Sequence, residues 1–329
     1  MIKFEDKNLQ PLKLTDLHCH LGASTSVNIL WDLAHEQGLK LPTKDYWEFV
    51  DQIGVKGNEP HKTYLDRFKL TQFIQSSPLA IEKSVYNAIA SAFRKCNITT
   101  LELRFNPLLR NRGGDYDIDQ IITSAIIGLK RACVVYPVKA GIIISTDRTF
   151  NGDQASIAAM KAVKYKNDGI VGFDMSGHSP EDFKIEDFYE AFKIAKNGGL
   201  GITIHTGETT GVDEMWKVLE NIKPDRIGHG VACVEDRAVM AFLAADDIVL
   251  ELCPTSNLRL GVIKDVDHLH KVIDTLRHNK VKYCINSDGP EFLKSSVSDE
   301  LGMLCQEKIL NKDEIIELVD ASHQYSFIK

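Results

Sequence analysis

Four histidines, one glutamate and one aspartate stand where a metal-assisted hydrolysis would need them. His18-Cys19-His20 continues the run Leu14–Leu17, which reads as a strand. Residues two apart on a strand face the same side, so His18 and His20 can converge on one ion. A second His-x-His pair, His268-Leu269-His270, lies in a segment where Val266, Leu269, Val272, Ile273 and Leu276 recur at helical spacing. On a helix, residues two apart are separated by about 200°, which predicts a surface pair. His205 ends the run Ile202-Thr-Ile and is followed by Glu208, His229 follows Arg226-Ile-Gly, and Asp288 follows Tyr283-Cys-Ile-Asn-Ser. Each alone reads equally well as a strand-end residue with its own hydrogen bond. Polar groups buried at successive strand ends are costly unless paired or ligated, and three imidazoles with a carboxylate suit Zn²⁺ or a similar divalent cation.

The elements that would carry these residues follow a regular pattern. Strand-like runs fall at Leu14–Leu17, Thr100–Phe105, Ala140–Ser145, Ile170–Met175, Gly201–His205, Arg226–Gly228, Ile248–Leu252 and Tyr283–Asn286. Several are almost continuously apolar, as expected of parallel strands buried on both faces. Amphipathic stretches such as Ile118–Ala132, Ile185–Ala195 and Val266–Leu276 separate them. The pattern predicts an α/β fold, a (β/α)8 TIM barrel with a helical insertion after the first strand. An open doubly wound sheet is the alternative, but no G-x-G-x-x-G or phosphate-binding loop follows a strand. The interval between the first two strands is far longer than the later ones. It reads as helices over Val27–Glu36, Thr43–Val50, Tyr64–Ile74 and Leu79–Cys96. We read 1–329 as one barrel domain with a lid over about 26–95, placed at the C-terminal face where barrel active sites lie.

The chain has 329 residues, 43% of them hydrophobic and 26% charged, with a net charge of −7. That balance excludes disorder and gives no basic face for nucleic acid. No stretch approaches the roughly 20 apolar residues of a membrane span, and Met1–Lys7 has no apolar leader core. Seven cysteines without a Cys-x-x-Cys pair disfavour disulfides and thiolate zinc, so a reducing cytoplasm is expected. Oligomeric state is not legible.

The motifs Asp16-Leu-His18-Cys-His20-Leu, His205-Thr-Gly-Glu208, Ile227-Gly-His229-Gly, Cys253-Pro-Thr-Ser-Asn257 and Asn286-Ser-Asp288 occur in an order that resembles the adenosine deaminase family of metal-dependent amidohydrolases. Leu101-Glu-Leu-Arg-Phe-Asn-Pro107 and Gly172-Phe-Asp-Met-Ser-Gly177 also resemble that family's strands. The resemblance implies that His18, His20, His205 and Asp288 ligate one divalent metal, with Zn²⁺ the first expectation. It implies that Glu208 donates a proton to the purine ring, that His229 acts on the attacking water, and that the Gly177 backbone meets the purine. The implied reaction is hydrolytic deamination of a 6-aminopurine nucleoside, adenosine to inosine and ammonia. Adenine, a modified nucleoside or a nucleotide are alternative substrates, and a catalytically silent nucleoside binder is the alternative of another class. The residue types suit this chemistry. A divalent ion can lower the pKa of water from 15.7 to about 7, and attack on the ring carbon pushes electrons onto a ring nitrogen that a carboxylic acid must protonate. The partner is then a small aminopurine, not nucleic acid or membrane.

Two positions depart from the family pattern. The Asp that usually engages the ribose hydroxyl is absent, either replaced by Gly22 or deleted, and Gly289 stands where a second Asp meets a ring nitrogen. Glu291, Ser24 and His61 are candidates to compensate. Cys253 and Cys284 are expected as buried thiols, Glu102 and Arg104 as a buried ion pair, and His178 as a loop residue within reach of ligand.

Overall fold

The computed structural model describes residues 12–111 and 118–329; Met1–Lys7, on which the leader reading rests, lies outside them. Eight strands, β1 (Leu14–His20), β2 (Ile98–Phe105), β3 (Lys139–Asp147), β4 (Ile170–Ser176), β5 (Gly201–Thr206), β6 (Arg226–His229), β7 (Val249–Leu252) and β8 (Tyr283–Ile285), pair in parallel in chain order. The last and first strands meet at one bridge between Asp288 and Cys19. There the His20 amide donates to the Asp288 carbonyl at 2.8 Å and the Asp288 amide to the His18 carbonyl at 2.9 Å. This is the (β/α)8 barrel expected from the sequence, and each strand lies at its expected place.

Five helices separate β1 from β2: α1 (Leu21–Ser24), α2 (Val27–Glu36), α3 (Tyr46–Ile53), α4 (His61–Ile74) and α5 (Pro78–Cys96). The crossovers that follow are α6 (Asp119–Val135), α7 (Gly152–Lys164), α8 (Tyr189–Asn197), α9 (Val212–Asn221) and α10 (Arg237–Ala245), then α11 (Pro254–Arg259) and α12 (Val266–His278) between β7 and β8. After β8 come α13 (Pro290–Leu293), α14 (Val297–Gln306) and α15 (Lys312–Gln324). No described helix is long and apolar enough to cross a membrane, and all seven cysteines are free thiols.

The long first interval divides differently from the sequence reading. α5 packs along α6 and β2 and gives Ile81, Val85, Ala88 and Ile89 to the main barrel core, so it is the first crossover helix of the ring. The added material is α1–α4. Val27, Leu30, Leu33, Phe49, Ile53, Tyr64 and Ile74 close a second, smaller core with Phe292 and Leu293. Both kinds of helix carry one apolar stripe, so periodicity could not tell which core each joins. α3 begins later than expected because the Asp45 side chain accepts the Glu48 amide at 2.8 Å and caps it there. α4 begins earlier, directly after Pro60.

The N-terminal end of the barrel is closed by the last residues of the chain. The Phe327 ring lies 3.6 Å under the Arg226 guanidinium. Ser326 Oγ and the Phe327 amide donate to Glu102 Oε1 at 2.7 and 2.6 Å. A Cβ on Gly201 would stand 2.3 Å from the Phe327 ring, so β5 must open with glycine to admit it. Removing residues 325–329 should therefore lower the free energy of unfolding by about 2–4 kcal/mol, because hydrogen bonds to a charged group contribute about 1.5–3 kcal/mol each. Urea denaturation checks this, and a loss below about 1 kcal/mol would show that the tail is not a structural plug.

Candidate active site

The strand ends bring four side chains to one point. His18 Nδ1 lies 2.7 Å from Glu251 Oε2, and His205 Nδ1 lies 3.0 Å from Asp174 Oδ1. A carboxylate on Nδ1 fixes the proton there and leaves the Nε2 lone pair of each ring for another partner. His20 Nε2 is 3.2 Å from His205 Nε2. Asp288 Oδ1 is 3.4 Å from His20 Nε2 and 3.7 Å from His18 Nε2. His18 Nε2 is buried and has no hydrogen-bond partner among the described residues. Tetrahedral ligands at a Zn–N distance of about 2.0–2.1 Å stand about 3.4 Å apart, close to these separations. Burial, followed for His18 by the Arg104 guanidinium and for His20 by the His205 imidazole, holds both rings well below the ordinary histidine pKa. Neutral imidazoles with lone pairs facing a carboxylate oxygen fit a divalent cation.

Backbone geometry assists the convergence. His229 and Asp288 adopt left-handed conformations, with φ of 60° and 59°. Non-glycine residues seldom take them, and here they turn two strand-end side chains into the pocket. Ser256 Oγ and Tyr64 Oη donate to Asp288 Oδ2 at 2.6 and 3.2 Å, which leaves Oδ1 for the cluster. His229 Nδ1 meets the Asn257 side-chain amide at 3.1 Å, so its Nε2 is presented to the cavity.

Glu208 faces this cluster, with Oε1 3.6 Å from His229 Nε2 and Oε2 3.7 Å from His61 Nε2. Burial raises the proton affinity of its carboxyl, but the fields of His229 and His61 outweigh that and hold it below the usual range. The cavity between the barrel mouth and α4 has a volume of about 350 Å³, and His61, Gly177, His178 and Glu208 are among the residues in its wall. Gly177 has φ of 100°, and a Cβ there would lie 2.6 Å from Asp147 Oδ2. Only glycine lets the backbone pass at this point.

The charges beneath the site were only partly legible. Glu251 accepts from Arg104 at 2.7 Å, from Arg226 Nε at 2.7 Å and from Thr203 Oγ1 at 2.9 Å, besides holding His18. Asp174 accepts from Ser145 at 3.0 Å and lies 3.4 Å from Arg104. Glu102 pairs with Arg226. The expected Glu102–Arg104 pair is thus replaced by two separate pairings. Residues two apart on β2 both point inward but sit at different depths, so neighbouring strands reach them first. Glu251 and Asp174 received no role from the sequence. Their signal was a lone carboxylate inside an otherwise apolar buried strand.

At both positions that depart from the family pattern, a side chain would run into α4. A Cβ on Gly22 would stand 2.9 Å from both the Phe68 ring and Thr71 Oγ1, and one on Gly289 would stand 2.7 Å from Tyr64 Oη. α4 therefore fills both places where a carboxylate side chain would start. Glu291 does not compensate: it pairs with Lys95 at 2.6 Å, away from the cavity. Ser24 does not either, since its hydroxyl is spent on the Leu21 carbonyl at 3.3 Å. His61 does reach the cavity, beside Glu208. Cys253 and Cys284 are buried, and burial pushes both thiols up.

The sequence profile of the family described as "Adenosine deaminase" matches residues 13–329. An adenosine deaminase of Vibrio vulnificus is 28% identical over 321 residues, covering 97% of this chain and 96% of that one. Among solved structures, the adenine deaminase of Arthrobacter aurescens superposes with a TM-score of 0.86 at 20% identity, covering 96% of this chain and 94% of that one. An amidohydrolase of Burkholderia ambifaria with bound Zn superposes with a TM-score of 0.85 at 19% identity, covering 97% and 86%. These structural likenesses are likenesses of fold.

If the cluster holds a divalent cation, Glu251→Gln should weaken its binding by about 10–100-fold, the usual effect of removing a carboxylate behind a ligating histidine. Competition against a chromogenic chelator measures it. Unchanged affinity in the folded variant would mean that Glu251 supports the barrel alone.

Proposed function

The chain belongs to the adenosine deaminase family and is a hydrolytic deaminase, and from that premise we propose that it removes the 6-amino group of a purine nucleoside, adenosine being the parent compound, with release of ammonia. The observation that carries this reading is the convergence of His18, His20, His205 and Asp288 opposite Glu208, in a cavity of nucleoside size. We propose that these four residues hold one divalent cation and that the ion is Zn²⁺, because the donors are mostly imidazole nitrogens. Such an ion supplies water acidified toward neutral pH.

The side chains divide the remaining work. His229, oriented by Asn257, accepts a proton from the attacking water through Nε2. Asp288 Oδ1 accepts a hydrogen bond on the same side, its other oxygen being held by Ser256 and Tyr64. Glu208 carries the proton that the purine ring nitrogen takes up as electrons leave the attacked carbon. In the open pocket its neighbours favour the carboxylate. A purine filling the cavity displaces water and shifts that balance toward the acid. The backbone at Gly177 lies in the wall where a planar base must pass.

The inserted helices take part in closure. His61, Tyr64 and Phe68 of α4 line the cavity, and the small core beneath them is separate from that of the barrel. Free thiols throughout suit a reducing cytoplasm as its compartment.

Ammonia release from a panel of 6-aminopurines tests the reaction. Adenosine or a close derivative should turn over in the metal-loaded protein and not after metal removal. Inactivity of the loaded protein on every 6-aminopurine would overturn the reading. Glu208→Gln should retain metal and lose about 10²–10⁴-fold in kcat, since an amide cannot supply the proton. Near-normal turnover would take Glu208 out of that role. Hydrogen exchange with and without a non-reacting purine nucleoside should show added protection in residues 61–74. Protection confined to the other end of the barrel would show that α4 does not close over the ligand.

A further inference from the structure

Among the described residues, three arginines are buried to 2% exposure or less: Arg104, Arg226 and Arg110. Two are surrounded by carboxylates. Arg104 meets Glu251 and Asp174, and Arg226 meets Glu251 and Glu102. Arg110 has none among the described residues. Its NH1 donates to the Asn106 carbonyl at 3.0 Å and its NH2 to Gln75 Oε1 at 3.2 Å, while its Nε has no partner. The Phe105 ring lies 5.2 Å from its guanidinium. Neutral acceptors and an aromatic face do not balance a full charge removed from water. The consequence appears in its acidity: carboxylates raise Arg104 and Arg226 despite burial, whereas burial alone pulls Arg110 down to about 9.

Arg110 lines the same cavity as Glu208 and Asp288. The carboxylates of that cavity are engaged elsewhere. Asp66 pairs with Lys69 at 2.6 Å, Asp147 accepts from Thr149, and Asp288 from Ser256. Glu208 stands between two imidazoles. The other buried arginines of the wall are committed, Arg104 to Glu251 and Asp174, and Arg148 to Glu214 through both terminal nitrogens at 2.8 and 2.7 Å.

Position narrows the ligand. Arg110 follows β2 and is tied through Gln75 to the Leu21 carbonyl and to Thr25, on either side of Gly22. The reacting end of a bound purine is fixed among His205, Glu208 and His229 at the ends of β5 and β6. The remaining wall includes α4 and, at and after the end of β2, Phe105, Asn106, Leu109 and Arg110, so an N9 substituent directed there would meet Arg110. A guanidinium with no counter-ion among the described residues stands there, and no carboxylate is present at position 22 to repel an anion.

We propose that Arg110 receives an anionic group, a phosphate or a carboxylate, at the 5′ end of the substrate's sugar, so that this deaminase prefers a 5′-charged 6-aminopurine nucleoside to adenosine itself. This rests on the aminopurine reading and names its substrate class. An arginine fork suits a bidentate phosphate or carboxylate, and the ligand would supply the charge that the fold withholds.

Binding and turnover separate the two claims. Calorimetry on the metal-loaded protein would compare inosine, inosine 5′-monophosphate and inosine-5′-carboxylate, none of which carries an amine to be removed. At least one anion should bind 10-fold or more tightly than inosine, and which one identifies the source of the charge. Equal or tighter binding of inosine would overturn the proposal whether or not any aminopurine turns over. Arg110→Gln should bring the anion-to-neutral ratio toward unity. A merely structural Arg110 would leave that ratio intact while lowering the melting temperature. If the glutamine variant does not fold, Arg110→Lys keeps the charge without the planar fork and should reduce the ratio at least 3-fold; an unchanged ratio overturns the assignment. Turnover of adenosine 5′-monophosphate and adenosine-5′-carboxylate against adenosine then tests the aminopurine reading itself. Absence of ammonia from all three and from the rest of the 6-aminopurine panel would defeat that reading without touching the binding result.

Discussion

The Glu251 carboxylate is the point on which the barrel interior depends. It is fully buried and has four partners, from β1, β2, β5 and β6. Arg104 and Arg226 hold its pKa down to about 2 against the opposing effect of burial. Most barrels fill this volume with branched apolar side chains. Here a charged layer takes their place, and its geometry passes directly to the site, because the oxygen that accepts from Arg104 also fixes the His18 tautomer. A buried ionic cluster contributes little net stability compared with apolar packing of the same volume, but removing one member leaves an uncompensated charge. The arrangement therefore favours orientation of the ring nitrogens over stability.

Closure of the barrel and assembly of the site are the same event. The single bridge between β8 and β1 is made by Asp288 and Cys19, with the hydrogen bonds running through the backbone of His18 and His20. The two histidines and the aspartate are placed by the contact that completes the ring. The left-handed turn at Asp288 is tolerated because this pairing and the Ser256 and Tyr64 hydroxyls over-determine its position.

α4 connects the chemistry to recognition. Tyr64 steadies Asp288, Phe68 packs edge-on to His20 at 5.6 Å, and His61 stands beside Glu208. The same helix occupies the space that side chains at Gly22 and Gly289 would need. The space left at positions 22 and 289 is thus set by one inserted helix rather than scattered through the barrel, while the charge beneath the histidine cluster is left as the strands set it.

The sequence alone determined the ring and several of the side chains gathered at its mouth. Period-two and continuous apolar runs place strands, and a strand puts His18 and His20 on one side whatever surrounds it. His205, Glu208, His229 and Asp288 were visible because polar residues at the ends of buried strands violate the apolar pattern. Tertiary structure decided what pattern cannot carry. Whether α5 belonged to the insertion or to the ring depended on which core its apolar stripe met. Whether Glu102 met Arg104 or Arg226 depended on depth within the barrel, which adjacent strands set. Whether Glu291 could replace a missing aspartate depended on Lys95 lying within 2.6 Å of it. Arg110 carried no sequence signal, because a surface arginine and a buried one with no counter-ion among the described residues are written with the same letter. Burial and the identity of neighbours are properties of contacts between distant segments, and only the folded chain brings those segments together.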